Sequence, residues 1–289
     1  MTRDAKLAAF RALHAHSGAF VIPNPWNAGT AKILTALGFD ALATTSAGYA
    51  FAVGKLDSSA ALSRDEIIAN AAEIVNATHL PVSADLEDGF GRDPATCAAT
   101  IRMAAAVGLV GGSIEDATGD PEQPIYDLSI AVERVAAACE AARDCGFVLT
   151  ARAENFLHGR PDLDDTIARL RAFEAAGADV LYAPGLPGLD AIRRVCSSVG
   201  KPVNVVMGLK GTLYSADELA AAGVKRISVG GSLARAALGA FVEAAREVRD
   251  GTFGYAQIAL PHADARAFMS GTGNENFSRA DMQTRPRDS

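Results

Sequence analysis

Residues 83–91 read SADLEDGFG and set Asp85, Glu87 and Asp88 within four positions of one another. Carboxylates this close repel, and in a water-poor setting they either hold protons or share a cation. A hard divalent ion suits them, because it prefers oxygen ligands and keeps several of its own waters. A solvated turn would use the same residue types, since Asp and Gly are ordinary turn formers. Two further stretches place charge where an apolar run stops: GGSIED ends on Glu115 and Asp116, and FVLTARAEN on Arg152, Glu154 and Asn155. A turn needs no second acid from another segment, so Glu115 favours the metal reading. Arg152 would either form a structural ion pair with Glu115 or Glu154, or grip a substrate carboxylate through its planar guanidinium.

These residues need a frame that gathers distant segments. Short β-branched or apolar runs alternate with longer Ala-rich helical stretches, the pattern of βα units on a parallel sheet. The strand candidates are AFVIP (19–23), ALATT (41–45), PVSAD (81–85), GGSIE (111–115), FVLTAR (147–152), DVLYA (179–183), PVNVV (202–206) and RISVG (226–230). Glycine recurs where a helix C-cap belongs, as in LGFDALATT, VGLVGGSIE, AGADVLYA and AGVKRISVG. Eight such strands predict an α/β protein of the (β/α)8 TIM-barrel class, whose usual size is about 250 residues. The barrel is expected over 1–252. Residues 253–289 are expected to add a C-terminal helical segment that packs against a neighbouring subunit, with disorder in the last dozen residues. Barrels of this class do their chemistry at the C-terminal ends of the strands. That rule collects Ser46, Ala47 and Gly48 after the second strand, Asp85 and Glu87 after the third, Glu115 and Arg152 after the fourth and fifth, and Asn204 in the seventh.

Composition narrows the function class. Hydrophobic residues make up 49 % and charged residues 21 % of the 289, as in a globular protein and unlike a disordered chain. A formal charge of −7 without a Lys/Arg cluster argues against nucleic acid as a partner. No apolar run approaches the roughly 18 residues of a membrane span, and the N-terminal stretch lacks the continuous apolar core of a secretion signal. A cytoplasmic protein with no membrane partner is expected. Cys97, Cys139, Cys145 and Cys196 form no Cys-x-x-Cys pair and read as reduced thiols. The five histidines are scattered and suggest no metal site.

With these stretches assembled, the sequence resembles the isocitrate lyase and phosphoenolpyruvate mutase superfamily over about residues 15–250. The resemblance is carried by TTSAGYAFAVGKLD, PVSADLEDGFG, GGSIEDA, LTARAENF and KPVNVVMG. PVSADLEDGFG is similar to the family's Asp-x-Asp-x-Gly-[Tyr/Phe]-Gly metal motif, with Asp85 and Glu87 on its two acids. The resemblance implies Mg²⁺ as cofactor, with Mn²⁺ as a substitute, and a pyruvate-like enolate formed as a C–C or P–C bond breaks. Asp85 would touch the metal, and Glu87 and Glu115 would hold its waters. Asp57 matches a further acid of the site. Ser46, Ala47 and Gly48 match a loop that holds substrate oxygens, Arg152 matches an arginine on the substrate carboxylate or oxyanion, and Asn204 is placed with the substrate. Homo-oligomers, dimers or tetramers, are implied as well.

The pattern also departs from the family. Its lyases carry a Lys-Lys-Cys-Gly-His loop after the fourth strand, and its mutases a lysine and an asparagine there. This chain has EDATGDPEQPIYD, with neither. The glutamate usual at the end of the sixth strand is replaced by Pro184 and Gly185. Tyr49, His158, Tyr182, Tyr214 and Asp116 are left as candidates for a proton carrier. The expectation is a Mg²⁺-dependent lyase or decarboxylase of a small 2-oxo or 2-hydroxy dicarboxylate. The alternatives are a phosphonate P–C mutase or hydrolase and a metal-dependent binder without turnover. A Schiff-base aldolase is disfavoured because DVLYA has no lysine. A phosphate site at GLKGT and GGSLA would predict a phosphorylated ligand.

Overall fold

The computed structural model describes residues 1–58, 61–209 and 211–273. The chain begins with α1 (Arg3–Ala15) and then alternates strands and helices. The first half holds β1 (Phe20–Ile22), α2 (Ala28–Ala36), β2 (Leu42–Ala43), α3 (Ser46–Ala52), α4 (Arg64–Ala77), β3 (Val82–Asp85), α5 (Pro94–Ala106) and β4 (Gly111–Glu115). The second half holds α6 (Leu128–Cys145), β5 (Val148–Arg152), α7 (Leu163–Ala176), β6 (Val180–Tyr182), α8 (Leu189–Ser198), β7 (Val203–Val206), α9 (Ala216–Ala221) and β8 (Arg226–Ser228). After these come α10 (Ser232–Arg249), a 3₁₀ turn at Gly254–Gln257 and α11 (His262–Ser270). Neighbouring strands are parallel in the order β1-β8-β7-β6-β5-β4-β3-β2. The remaining seam is bridged where Ala43 N donates to Pro23 O at 3.0 Å. This is a (β/α)8 barrel with a helical C-terminal segment.

Local chemistry explains where the helices begin. Asn27, Ser63 and Ser215 form capping boxes at α2, α4 and α9, and Asp93 caps α5 just ahead of Pro94. Gly146 and Gly177 end α6 and α7 in the left-handed conformation that a side chain resists. The barrel floor is closed by α1, whose fully buried Phe10 shares an apolar cluster with Ala41, Val110, Val148 and Val180 at or just before strand starts and with Ile22 of β1. The larger apolar layer lies between the strands and the surrounding helices. Cys97 and Cys139 are buried and Cys145 and Cys196 half-buried, all as free thiols. Burial pushes the Cys97 and Cys196 thiols up to about 11 and Cys139 up to about 12.

Several strands are shorter than their apolar runs, because the chain leaves the ladder early to build the site. RISVG contributes only Arg226–Ser228, and ALATT only Leu42–Ala43. Ser46, Ala47 and Gly48, expected as a loop, form the first turn of α3. Thr45 caps that helix, its Oγ1 accepting from Gly48 N at 3.2 Å. Within the chain α11 lies on α2, where Lys32 Nζ donates to Met269 O at 2.7 Å. The last dozen residues, expected to be disordered, fall within 274–289, outside the described residues, as does Lys210. Among the described residues, no helix is long and apolar enough to cross a membrane.

Candidate active site

Asp85 ends β3 and joins three segments. Its Oδ2 accepts from Ser46 Oγ at 2.8 Å and from Ser46 N at 3.3 Å, and its Oδ1 accepts from Arg152 Nη1 at 3.0 Å. The β4–β5 register sets Glu115 directly beside Arg152, and Nη1 of Arg152 lies 3.0 Å from Glu115 Oε2. Arg152 Nε donates to Glu154 Oε1 at 2.9 Å, and the guanidinium carbon stands 5.0 Å from the centre of the Tyr182 ring. Glu87 and Glu115 both line an open cavity of about 870 Å³, next to Lys55, Glu66 and Thr118, while Asp85 and Arg152 line a smaller one. The strand ends therefore bring together Ser46, Asp85, Glu87, Glu115 and Arg152, with Asp57 close enough to repel Asp85 and Glu87.

The loop that presents Glu87 is held in an uncommon shape. Glu87 and Phe90 have φ of 47° and 63°, and Gly89 lies between them at 84°. Left-handed backbone at a residue with a side chain costs of order 1–3 kcal/mol and persists only where the surroundings enforce it. Arg134, fully buried on α6, supplies that enforcement: its guanidinium donates to the carbonyls of Asp88, Gly91 and Arg92. The same guanidinium stands 4.2 Å over the ring of Tyr126 and 3.8 Å from Asp88 Oδ2. From α5, Thr100 Oγ1 donates to Gly89 O at 2.8 Å.

Electrostatically the cluster carries more acid than base. Burial, then Asp85, Asp88 and Asp57, push the Glu87 carboxyl up to about 8. Burial also lifts Glu115 well above the usual range; Arg152 opposes the shift, and Glu154, Asp85 and Glu87 add to it. Asp57 is raised by burial and by Asp85. Burial disfavours the charge on Arg152, but Glu115, Glu154 and Asp85 outweigh it and hold the guanidinium firmly protonated. Carboxyl groups raised by one another ionise together when a cation joins them. Among the described residues, no set of three or more acids, histidines or cysteines stands at direct-ligation spacing. The donor set therefore fits an ion that touches one carboxylate and reaches the others through water, which is the habit of Mg²⁺.

The other candidates separate. Asn204 sits below the cluster rather than in it, donating from Nδ2 to Ser228 Oγ at 3.1 Å and accepting from Arg226 Nε at 2.8 Å. Asp116 is buried under the site, where its two oxygens accept from Glu154 N at 2.8 Å and Arg169 Nη1 at 2.9 Å. Its role there is to tie three segments together. Tyr182 lies beneath Arg152, and burial pushes its phenol well up. Tyr214 lines a separate pocket with Leu186, Pro187 and Met207. Of the GGSLA stretch, Gly230 N donates to Asn24 Oδ1 at 2.9 Å, as Val229 N just before it does, and Ser232 N donates to Val229 O at 3.1 Å. The sequence expectations missed Arg134, Asn24 and Arg226. For Arg226 a signal existed: a charged residue two positions from Ser228 in a strand whose burial is complete.

A model of the phosphoenolpyruvate phosphomutase family matches residues 10–249. The 2-methylisocitrate lyase of Shewanella oneidensis is 31 % identical over 235 residues, covering 78 % of this chain and 79 % of that protein. The solved structure of a proposed lyase/mutase from Burkholderia cenocepacia J2315 superposes with a TM-score of 0.91 at 59 % identity, covering 94 % of this chain and 99 % of that one. A phosphonopyruvate hydrolase solved with oxalate and Mg²⁺ gives a TM-score of 0.82 at 26 % identity, covering 94 % and 95 % of the two chains.

Proposed function

Because the chain belongs to the phosphoenolpyruvate phosphomutase family, we propose that it is a Mg²⁺-dependent carbon–carbon lyase or decarboxylase acting on a small 2-oxo or 2-hydroxy dicarboxylate. The observation that carries this reading is the group of Asp85, Glu87, Glu115 and Asp57 around the single guanidinium of Arg152. Breaking a bond beside a 2-oxo group leaves negative charge on the departing enolate oxygen. Mg²⁺, when bound, supplies a Lewis acid for that charge. Asp85 is the direct ligand in this scheme, with Glu87 and Glu115 accepting from bound waters. Arg152, fixed by its three carboxylate partners, stands ready to take the substrate carboxylate or the enolate oxygen without reorganising. In the first turn of α3 the Ser46 hydroxyl is held by Asp85 and Gly48 N by the Thr45 cap, so the backbone N–H of Ala47 is the donor of this stretch offered to a substrate oxygen in this scheme. The positive end of that helix favours an anion there.

The loop over residues 116–128 carries no thiol or imidazole, so the reaction that suits this site is one whose leaving group takes no proton. Decarboxylation of oxaloacetate meets that condition: the C3–C4 bond breaks, CO₂ leaves, and the pyruvate enolate is protonated at C3 in a later step. The test is thermal unfolding with oxalate, an analogue of the pyruvate enolate, in the presence and absence of Mg²⁺. A shift that needs both components, followed by release of pyruvate and CO₂ from oxaloacetate, supports the lyase. A shift without turnover of oxaloacetate or related 2-hydroxy acids would indicate a binder, and turnover of phosphonopyruvate would indicate P–C chemistry. The absence of any shift at millimolar oxalate and Mg²⁺ would remove the proposal.

A further inference from the structure

Arg226 opens β8 with its guanidinium inside the barrel, and only 6 % of the residue is exposed. Its Nε donates to Asn204 Oδ1 at 2.8 Å and its Nη2 to Thr150 Oγ1 at 3.0 Å. The third nitrogen, Nη1, is buried and has no hydrogen-bond partner. Both partners are neutral, and no carboxylate among the described residues pairs with this arginine. Asp85, Glu115 and Glu154 are turned toward Arg152 instead, and Asp116 toward Arg169. Burial lowers the Arg226 pKa to about 10, which still leaves it charged at neutral pH. The neighbouring Tyr182 phenol, pushed up by burial, stays protonated and supplies no counter-charge.

The same side chain lines a cavity of about 70 Å³ on the barrel axis, together with Asn204, Ser228 and Tyr182 below and Asp85 and Arg152 above. A water occupies roughly 30 Å³ of liquid volume. The space therefore suits one carboxylate-sized group or one halide with a water. Ser228 Oγ accepts from Asn204, which leaves its own proton for a ligand. Amide and hydroxyl dipoles can solvate a buried guanidinium but cannot neutralise it, and buried charges as a rule are paired.

We propose that Arg226, with Ser228 and Asn204, forms a receptor for one compact monovalent anion inside the barrel, directly beneath the Asp85–Arg152 site. A free anion from solution and the second carboxylate of a dicarboxylate substrate share this chemistry. Only the second source rests on the lyase reading given above.

The test begins with wild-type protein in gluconate buffer at constant ionic strength without Mg²⁺, titrated with formate and with bromide, and with crystals soaked in bromide. A rise in Tm that saturates with formate or bromide, is missing in Arg226→Met, and is matched by an anomalous peak beside Nη1 identifies a free anion. If the substrate supplies the anion, Arg226→Met raises the KM for oxaloacetate at least tenfold, and bromide competes with oxaloacetate in the wild type. In that case the Mg²⁺-dependent shift with oxalate is retained, which separates this site from the one above it. If Arg226→Met does not fold, the wild-type titration, the bromide map and bromide competition decide the matter. A wild type indifferent to formate and bromide, with no bromide density and no competition, would overturn the proposal. A missing Mg²⁺–oxalate shift in the wild type would sink the lyase reading while leaving the bromide and formate arms intact.

Discussion

Glu87 projects from a left-handed backbone among Asp57, Asp85 and Asp88, and its carboxyl is held up to about 8 against an ordinary 4.5. Between those two values the folded protein keeps a proton that the unfolded chain releases. The stabilisation is complete below about pH 4.5 and is lost as the pH rises through about 8. Thermal unfolding in EDTA should therefore show Tm falling across that window. Glu87→Gln, which imitates the protonated form, should remove part of the slope, up to ~1.4 kcal/mol per pH unit for one proton. Millimolar Mg²⁺ should flatten it too, because a cation restores the ionised form; a slope unchanged by Mg²⁺ would count against the metal site. Arg152 is the second residue to test. It spans Asp85, Glu115 and Glu154 at 2.9–3.0 Å, a geometry that the single ammonium of lysine does not reproduce. Arg152→Lys should weaken Mg²⁺-dependent oxalate binding by about tenfold, ~1.4 kcal/mol, in calorimetric titration.

At the scale of elements, the helix that matters most to the site is one that never reaches it. The Arg134 side chain, on α6, satisfies three carbonyls of the loop after β3 and so keeps Glu87 and Gly89 in their left-handed shape. Arg134→Met keeps much of the volume but leaves those carbonyls without a donor. It should cost about 2–4 kcal/mol in urea unfolding and weaken Mg²⁺ binding even at temperatures where the barrel is intact. A variant of normal stability and normal Mg²⁺ affinity would show that the loop holds itself. This support was not legible in the sequence, where Arg134 lies more than forty positions from the carbonyls it satisfies and reads as part of a solvated helix face. Arg226 offered one signal, a charge within an apolar run, but not its partners, which are 22 and 76 positions away. The strands were legible because each is a short apolar run, several of them behind a glycine at a helix end, and the acids because they sit where those runs stop. Ser46–Gly48 read as a loop because the sequence pattern gives weight to SAG as small residues and less to Thr45 as a cap.

The whole molecule presents one surface that its own barrel does not cover. On α10 only Ala234 is buried, while Leu238, Phe241, Val242 and Val248 are exposed, Phe241 by 69 %. An apolar stripe of this kind on an 18-residue helix would suit association with another copy of the chain. Light scattering on the eluted protein should give a homo-oligomer, and Phe241→Asp should shift it toward monomer; a monomeric wild type would contradict this. The thiols have a different consequence. None of the four cysteines stands among the site residues, and burial makes Cys97, Cys139 and Cys196 poor nucleophiles. A lyase that moved its proton through a loop cysteine would lose that step on alkylation. If the proposed site binds oxalate with Mg²⁺, that response should survive hours in iodoacetamide, with full labelling only after unfolding, which would make it independent of the thiol state of the chain.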